Sequence, residues 1–389
     1  MSAITKLVSK TKQANKTFYR TERLEAQTGN DSMKFNYNGI SQFSSIRNTA
    51  SSSTLDRLGF KSEGTNLNLR YQNNTIIADS LFGIKYNLSN FDLNKYGFNH
   101  VTSEKTIGLY QNNNASQLAI LTDGIYNNID FTVNTLDNQT SLLNTLSGLN
   151  LTYFKRAPSQ LFDKDAKSLN QRVAKNVSNS NKDFVTITYQ VIAPPHSQLY
   201  VSIPNISWSD DNNHSLSITV NGVTKNQVTD NTFDFFDLGY FETESMVTIK
   251  LSFPGNKAIS FDNPSFYALD TQNYQIAMDT INERDSKVTM SNNKVFVDYS
   301  SKTNASLFFT IPYDKGWAAT INHKKVKIQR AQKGFMKVDV PSGKGKVVLT
   351  FIPYGLKTGS LISLLASIIF CCYACLLYTS PSPRDRTRS

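Results

Sequence analysis

The chain has 389 residues, 39% hydrophobic and 18% charged, with 24 Phe and 18 Tyr. That composition excludes a disordered chain and supplies core for two or three domains at roughly 100–200 residues each. Basic residues exceed acidic ones, 41 to 30, and the three cysteines (Cys371, Cys372, Cys375) share one apolar run near the C-terminus, which excludes a disulfide framework, a cysteine zinc site or a catalytic thiol in the preceding body.

Residues 1–25 carry Lys6, Lys10, Lys12, Lys16, Arg20 and Arg23 and read as a basic juxtamembrane lead. They hold no apolar core of the length a signal peptide needs. Residues 26–155 read as a mixed α/β domain. Ser53-Thr54 opens a short helix stopped at Gly59, and Ser80 to Tyr86 reads as a buried strand with its approach. Thr106–Tyr110 and Leu118–Leu121 flank an Asn-rich turn and read as a hairpin. Asp137 is placed as the cap of a helix that carries Leu142, Leu143 and Leu146 on one side and ends at Gly148. Residues 156–182 read as a linker.

Strict alternation begins at Phe184. Val185, Ile187, Tyr189 and Val191 alternate with polar residues, as do Leu216, Ile218 and Val220 before Asn221-Gly222, a strong hairpin signal. Residues 183–290 therefore read as a β-sandwich with a helix near Thr271–Ile281, and residues 291–357 as a second sandwich module beside the membrane. The run from Gly359 to Tyr378 is free of charge and long enough to cross a bilayer core of about 30 Å, so 358–374 reads as a truncated transmembrane helix. The following LLYTSPSPRDRTRS resembles a translated sequencing adapter, and 375–389 is expected to be non-native. The fold class is mainly β: a mixed α/β N-terminal region, two antiparallel β-sandwich modules and a C-terminal transmembrane helix.

Catalytic patterns are poor. The four histidines have no i, i+4 partner or nearby ligand cluster, and no Walker, G-x-S-x-G or G-x-G-x-x-G pattern occurs. Asp163-Lys164-Asp165 has the spacing of a metal-holding pair but reads as solvated charge, and Asp210–Asn213 reads as a turn rather than a Ca²⁺ loop. No catalytic, cofactor or metal site is assigned. Trp208 and Trp317 are candidates to stack on sugar rings, an idea that burial of Trp208 weakens. Between Tyr313 and Lys357 ten basic residues face two acidic ones, and Lys324, Lys325, Lys327, Arg330 and Lys333 form a candidate patch for anionic headgroups or wall polymers. A lysine-protected edge strand explains the same charge. No basic helix accompanies it, so nucleic acid is not an expected partner.

Several segments in order resemble the YfhO-type bacterial membrane proteins. These are Asn30–Ser41 with Phe43-Ser44-Ser45, Asp79–Tyr86, Asn138-Gln139 with Leu146–Gly148, Tyr313–Trp317, Asn322, Gly334-Phe335, Pro341–Lys344 and Pro353–Gly359. The resemblance covers about residues 18–365. It departs at His323, where the family has glycine, and at Gln111-Asn112, where the family often has an acidic residue. The resemblance implies a protein similar to GT-C glycosyltransferases, which take sugar from a polyprenyl-phosphate carrier to decorate wall polymers such as lipoteichoic acid. Their catalytic carboxylate lies among N-terminal membrane helices that this chain lacks. The chain is thus expected to be a non-catalytic, extracytoplasmic C-terminal fragment at the bacterial cell membrane. Its expected partners are the lipid bilayer, the missing transmembrane region, a polyprenyl-linked sugar and an anionic wall polymer. Asn30, Asp31, Tyr37, Ser44 and Ser45 are the implied contacts to acceptor or lipid-linked sugar. The alternatives are a membrane-anchored carbohydrate-binding or adhesion protein and, more weakly, a lipid-handling accessory.

Overall fold

The computed structural model describes residues 2–46, 48–60, 68–71, 74–164, 169–170, 173–174, 184–208, 214–229, 235–254, 259–291 and 293–379. Helix α1 (Ala3–Ala14) starts at Ser2, whose hydroxyl accepts from the Thr5 amide at 3.1 Å. Ile4, Leu7 and Val8 recur on one helical face and pack with Phe35 of α2 (Asp31–Phe35) on Tyr86, Leu88, Ile107 and Leu109. Those residues belong to a four-stranded sheet ordered Arg20–Arg23, Ile84–Ser89, Ile107–Asn112, Phe98–Glu104, with the first pair parallel. The stretch read as a basic juxtamembrane lead at 1–25 thus contains a packed helix and a sheet strand. The sheet's other face meets a core built by α3 (Thr49–Arg57), α4 (Ile76–Leu81), α5 (Thr135–Ser147) and α6 (Thr271–Asn282).

Two antiparallel sandwiches follow. The first stacks Val223–Thr229, His214–Val220, Ser245–Pro254, Phe184–Ala193 and Ser159–Lys164 on Phe235–Phe241, Ser197–Ser202, Ser265–Asp270 and Phe154–Arg156. The second stacks Ser286–Ser291, Lys294–Ser301, Gly343–Phe351, Trp317–Ile321 and Lys324–Val326 on Gln329–Ala331, Phe335–Val340, Ala305–Phe309 and Ala119–Leu121. Asn221-Gly222 turns its hairpin with φ of 46° and 90°. Asn322-His323 makes the same kind of turn with φ of 46° and 69°, so His323 takes a conformation that glycine enters without steric cost. Helix α7 (Leu356–Thr379) leaves the second sandwich with no buried side chain; by length and apolarity it can cross a membrane.

Several local readings change. Ser80 and Leu81 end α4, capped by Thr75, and the strand starts at Ile84 after Gly83 turns with φ +63°; short apolar runs do not separate helix from strand by period alone. Ile107–Asn112 and Ala119–Leu121 are not a hairpin, because the second strand crosses to pair with Ala305–Phe309. The cap of α5 is Asn134, whose side-chain oxygen accepts from the Leu136 and Asp137 amides. The expected linker begins as sandwich strands, Ser159–Lys164 pairing with Phe184–Ala193. Asp165 and Asp210–Asn213 lie outside the described residues.

The modules are joined by buried polar contacts. Arg20 donates to Phe82 O at 2.6 Å and to Thr310 O at 2.7 Å, tying the N-terminal sheet to the second sandwich. Arg284 donates to the carbonyls of Leu121, Leu146 and Ser147, closing the C-terminus of α5. Gly334 lies under α3: a Cβ there would stand 2.6 Å from Ser51 Cα and 2.8 Å from Ala50 O. These are backbone atoms that cannot rotate aside. Gly334→Ala is therefore expected to lower stability by about 2–3 kcal/mol, read as a fall in melting temperature. An unchanged melt would mean that α3 is free to back away.

Candidate functional site

A cleft of about 690 Å³ opens between the N-terminal module and the outer strand of the first sandwich. Leu24–Asn30 forms one side, Ser41, Phe43 and residues 68–71 form the second, and Asn226 and Gln227 form the third. The Asn-Gly turn places Asn226 and Gln227 there by folding Val223–Thr229 back on its neighbour. A second hollow of about 360 Å³ adjoins, bordered by Asn94, Lys225, Gln227 and Asp237.

The walls are held by side chains that mimic backbone pairing. Asn30 donates from Nδ2 to Phe43 O at 3.0 Å, and its Oδ1 accepts from Phe43 N at 2.8 Å, so one amide fixes the Phe43 peptide. The Phe43 ring stays 48% exposed at the cleft. Asp31 accepts from the amides of Gln27 and Thr28, each at 2.9 Å, and pairs with Arg23 at 3.4 Å. Glu22, 1% exposed, accepts from the amides of Ile40 and Ser41 and from the Ser41 hydroxyl. Burial pushes its carboxyl up to about 7 despite those donors.

Ser41 also accepts from Tyr71 N, and this carries the network inward. The Tyr71 hydroxyl donates to Asn87 Oδ1 at 3.2 Å, and Lys95 reaches both groups from Nζ and pairs with Asp79. Asp79 is fully buried, and desolvation lifts its carboxyl to about 6 against the pull of Lys95. Asp237, also raised by burial, accepts from Gln198 Nε2 and Gly239 N, each at 2.7 Å. These carboxylates brace the walls. At the cleft itself the lining carboxylate is Glu25, which accepts from Asn90 N at 2.9 Å. The rest of the described lining mixes apolar side chains (Leu24, Ala26, Leu69) with hydroxyls, amides, the Arg70 guanidinium and two aromatic rings, and places no second carboxylate for paired acid–base chemistry. Among the described residues no group of three His, Cys, Asp or Glu could hold a metal ion.

Of the residues singled out from sequence, Asn30 lines the cleft and Asp31 is buried behind it. Tyr37 is half-buried, its hydroxyl pushed up by burial and by the nearby Glu22 and Asp31. Ser44 closes a local turn on Ile46, Ser45 is exposed, and neither lines the cleft. Trp208 is 7% exposed and packs on Phe253 in the sandwich core, which weakens its candidacy as a sugar-stacking ring. Trp317 lies against Phe351 beside α7, away from the cleft. Sequence missed Glu22, Tyr71, Lys95 and Gln227. Each becomes significant only through partners distant in the chain, and the hairpin signal alone hinted at Gln227.

The β-rich body carries one helix, α7, that by length and composition can cross a membrane. The profile described as "Bacterial membrane protein YfhO" matches residues 1–363, and the chain belongs to that family. It is 25% identical over 131 residues to the uncharacterized protein YfhO of Bacillus subtilis strain 168, an alignment covering 32% of this chain and 15% of that protein. Among solved structures, the arabinofuranosyltransferase AftD from Mycobacteria is 11% identical at a TM-score of 0.21, covering 77% of this chain and 31% of AftD. A Paenibacillus cycloisomaltooligosaccharide glucanotransferase is 8% identical at 0.19, covering 54% and 50%. A family two carbohydrate esterase from Cellvibrio japonicus is 9% identical at 0.18, covering 29% and 34%. Likeness at these scores carries no argument about fold or activity.

Proposed function

We propose that this chain is the extracytoplasmic, non-catalytic part of a longer bacterial membrane glycosyltransferase. In this reading α7 is one of its spans and the transferring carboxylate lies in membrane helices outside this chain. Family membership supports the membrane setting. The observation that carries the sugar reading is the cleft itself, in which the exposed Phe43 ring stands beside Asn30, Asn68, Arg70, Asn226 and Gln227, polar groups that also hold protein partners. Amides and a guanidinium hydrogen-bond to hydroxyls, and an aromatic ring covers the apolar face of a sugar. The cleft would hold an acceptor polymer such as lipoteichoic acid while a polyprenyl-phosphate sugar is presented from the membrane side.

Titration calorimetry of the full chain in detergent against teichoic-acid oligomers tests this. Binding is expected, weakened roughly tenfold by Phe43→Ala or Arg70→Ala, about 1.4 kcal/mol each. Binding that ignores both changes would remove the cleft from the mechanism. Sugar transfer by the chain alone would overturn its non-catalytic role.

A further inference from the structure

The charge block beside α7 is divided by strand register. Strand Gly343–Phe351 runs toward α7 and pairs Trp317 with Phe351, whereas Ile321 pairs with Val347. Lys324 and Lys325 sit opposite Ile321 and Thr320, at the end remote from α7. Three to four residues at about 3.3 Å each put them roughly 10–13 Å from the Phe351 level. Lys337 is buried, donating to Tyr126 O at 2.7 Å and pairing with Asp339 at 3.0 Å, and so does not contribute to a surface.

The near end gathers other residues. Ile352 N donates to Gly316 O at 3.0 Å, which holds the Asp314–Trp317 turn against the base of α7. Lys315 Nζ lies 5.6 Å over the Tyr354 ring, and Tyr354 is 79% exposed. Arg330 lies 4.5 Å over Tyr313, whose amide donates to Gly334 O beside the exposed Lys333. Asn48 Nδ2 donates to Tyr313 O at 2.6 Å and brings in the loop bearing Ile46, 90% exposed. Lys315, Trp317 and Tyr354 stand at the root of the membrane-length helix, and Arg330, Lys333 and the Ile46 loop join them through Tyr313. Aromatic rings and cations so grouped have the composition of a membrane–water interface.

We propose that this tip, with Lys315, Trp317, Arg330, Lys333 and Tyr354 as its contacts, beds into the headgroup layer around α7 and selects anionic phospholipid. Continuity with α7 and charge complementarity name the bilayer as the occupant. Lys324 and Lys325 are excluded, because attraction to a charged leaflet fades within a Debye length of about 8 Å. The proposal does not depend on the glycosyltransferase reading.

The chain has two tryptophans, one at the tip and one in the first sandwich, so fluorotryptophan labelling yields two ¹⁹F signals that Trp317→Phe assigns. The full chain is placed in nanodiscs of phosphatidylcholine with phosphatidylglycerol, doped with a gadolinium-chelate headgroup lipid. The Trp317 signal should broaden and the Trp208 signal should not; equal broadening, or none, overturns the proposal. In the same discs, enrichment of phosphatidylglycerol around the chain should fall roughly fivefold for each of Lys315→Gln, Arg330→Gln and Lys333→Gln. Lys324→Gln with Lys325→Gln should leave it unchanged; an equal loss from that pair overturns the register argument. If the tip changes weaken binding of soluble teichoic acid and leave lipid enrichment intact, the surface belongs to wall polymer and the proposal fails.

Discussion

Replacing Lys95 with methionine is expected to destabilise the chain by about 3–5 kcal/mol at neutral pH. The Lys95 side chain is 3% exposed and pairs with a fully buried Asp79. Its ammonium donates to Tyr71 and Asn87 and lies 4.6 Å from the centre of the Phe98 ring. A methionine fills the space but leaves Asp79 without its cation. Desolvation already holds Asp79 at about 6 with lysine present, and removing the lysine raises it further. The variant carboxyl then folds protonated, and the sign of the pH effect follows. A carboxyl whose folded pKa is raised loses stability as pH rises from its unfolded value of about 3.9 through the folded one. Urea unfolding in detergent should therefore show a larger Lys95→Met loss at pH 8 than at pH 5. Adding Asp79→Asn to Lys95→Met should recover much of the loss, since the penalty lies in the stranded charge. Equal losses at the two pH values would show that the pair is solvated. No recovery in the double variant would show that lysine packing rather than its charge is what counts.

Elements that depend on local chemistry were legible. The alternation from Val185 to Val191 became a ten-residue strand, Asn221-Gly222 became a hairpin, and the charge-free run became α7. Features that depend on a distant partner were not. Ala119–Leu121 is an apolar triplet whose neighbour in sequence is the wrong strand, and it is claimed by Ala305–Phe309 some 180 residues away in the chain, Thr122 N donating to Ser306 O. Ser159–Lys164 is polar enough to pass for a linker because an edge strand buries little. The Asn30–Ser45 resemblance located a segment that lines the cleft at Asn30, Ser41 and Phe43, yet it could not separate Asn30, which fixes the wall, from Ser44, which makes a turn. The basic block was countable in sequence, but which lysines stand near α7 is a fact of register. Glu22 shows the limit most clearly. It lies between Thr21 and Arg23 in a strand of four polar residues, where nothing announces a buried acid.

That acid is expected to make the protein more stable in mild acid than at pH 8. Glu22 titrates near 7 in the folded state because burial outweighs its three donors and the nearby Arg20. Unfolded, it returns to about 4.3, so between roughly pH 4.5 and 7 the native state holds the proton more tightly. A shift of this size corresponds to about 3–4 kcal/mol, present below pH 4.5 and lost as pH rises through 7. Glu22→Gln should remove that part of the slope. The glutamine oxygen can keep the Ile40 and Ser41 amides, and the Ser41 hydroxyl can rotate to accept from the new amide. Arg20 keeps Phe82 and Thr310 as acceptors, so no donor is stranded. The variant should match wild type at pH 4.5 and exceed it by about 1–3 kcal/mol at pH 8 in thermal or urea melts. Glu22→Ala should lose stability at both pH values, because two amides that fix the Ile40–Ser41 wall lose their acceptor. The same alanine change should weaken any ligand of the cleft, whereas glutamine should not. If glutamine and alanine behaved alike, the charge of Glu22 rather than its hydrogen bonds would be what shapes the cleft.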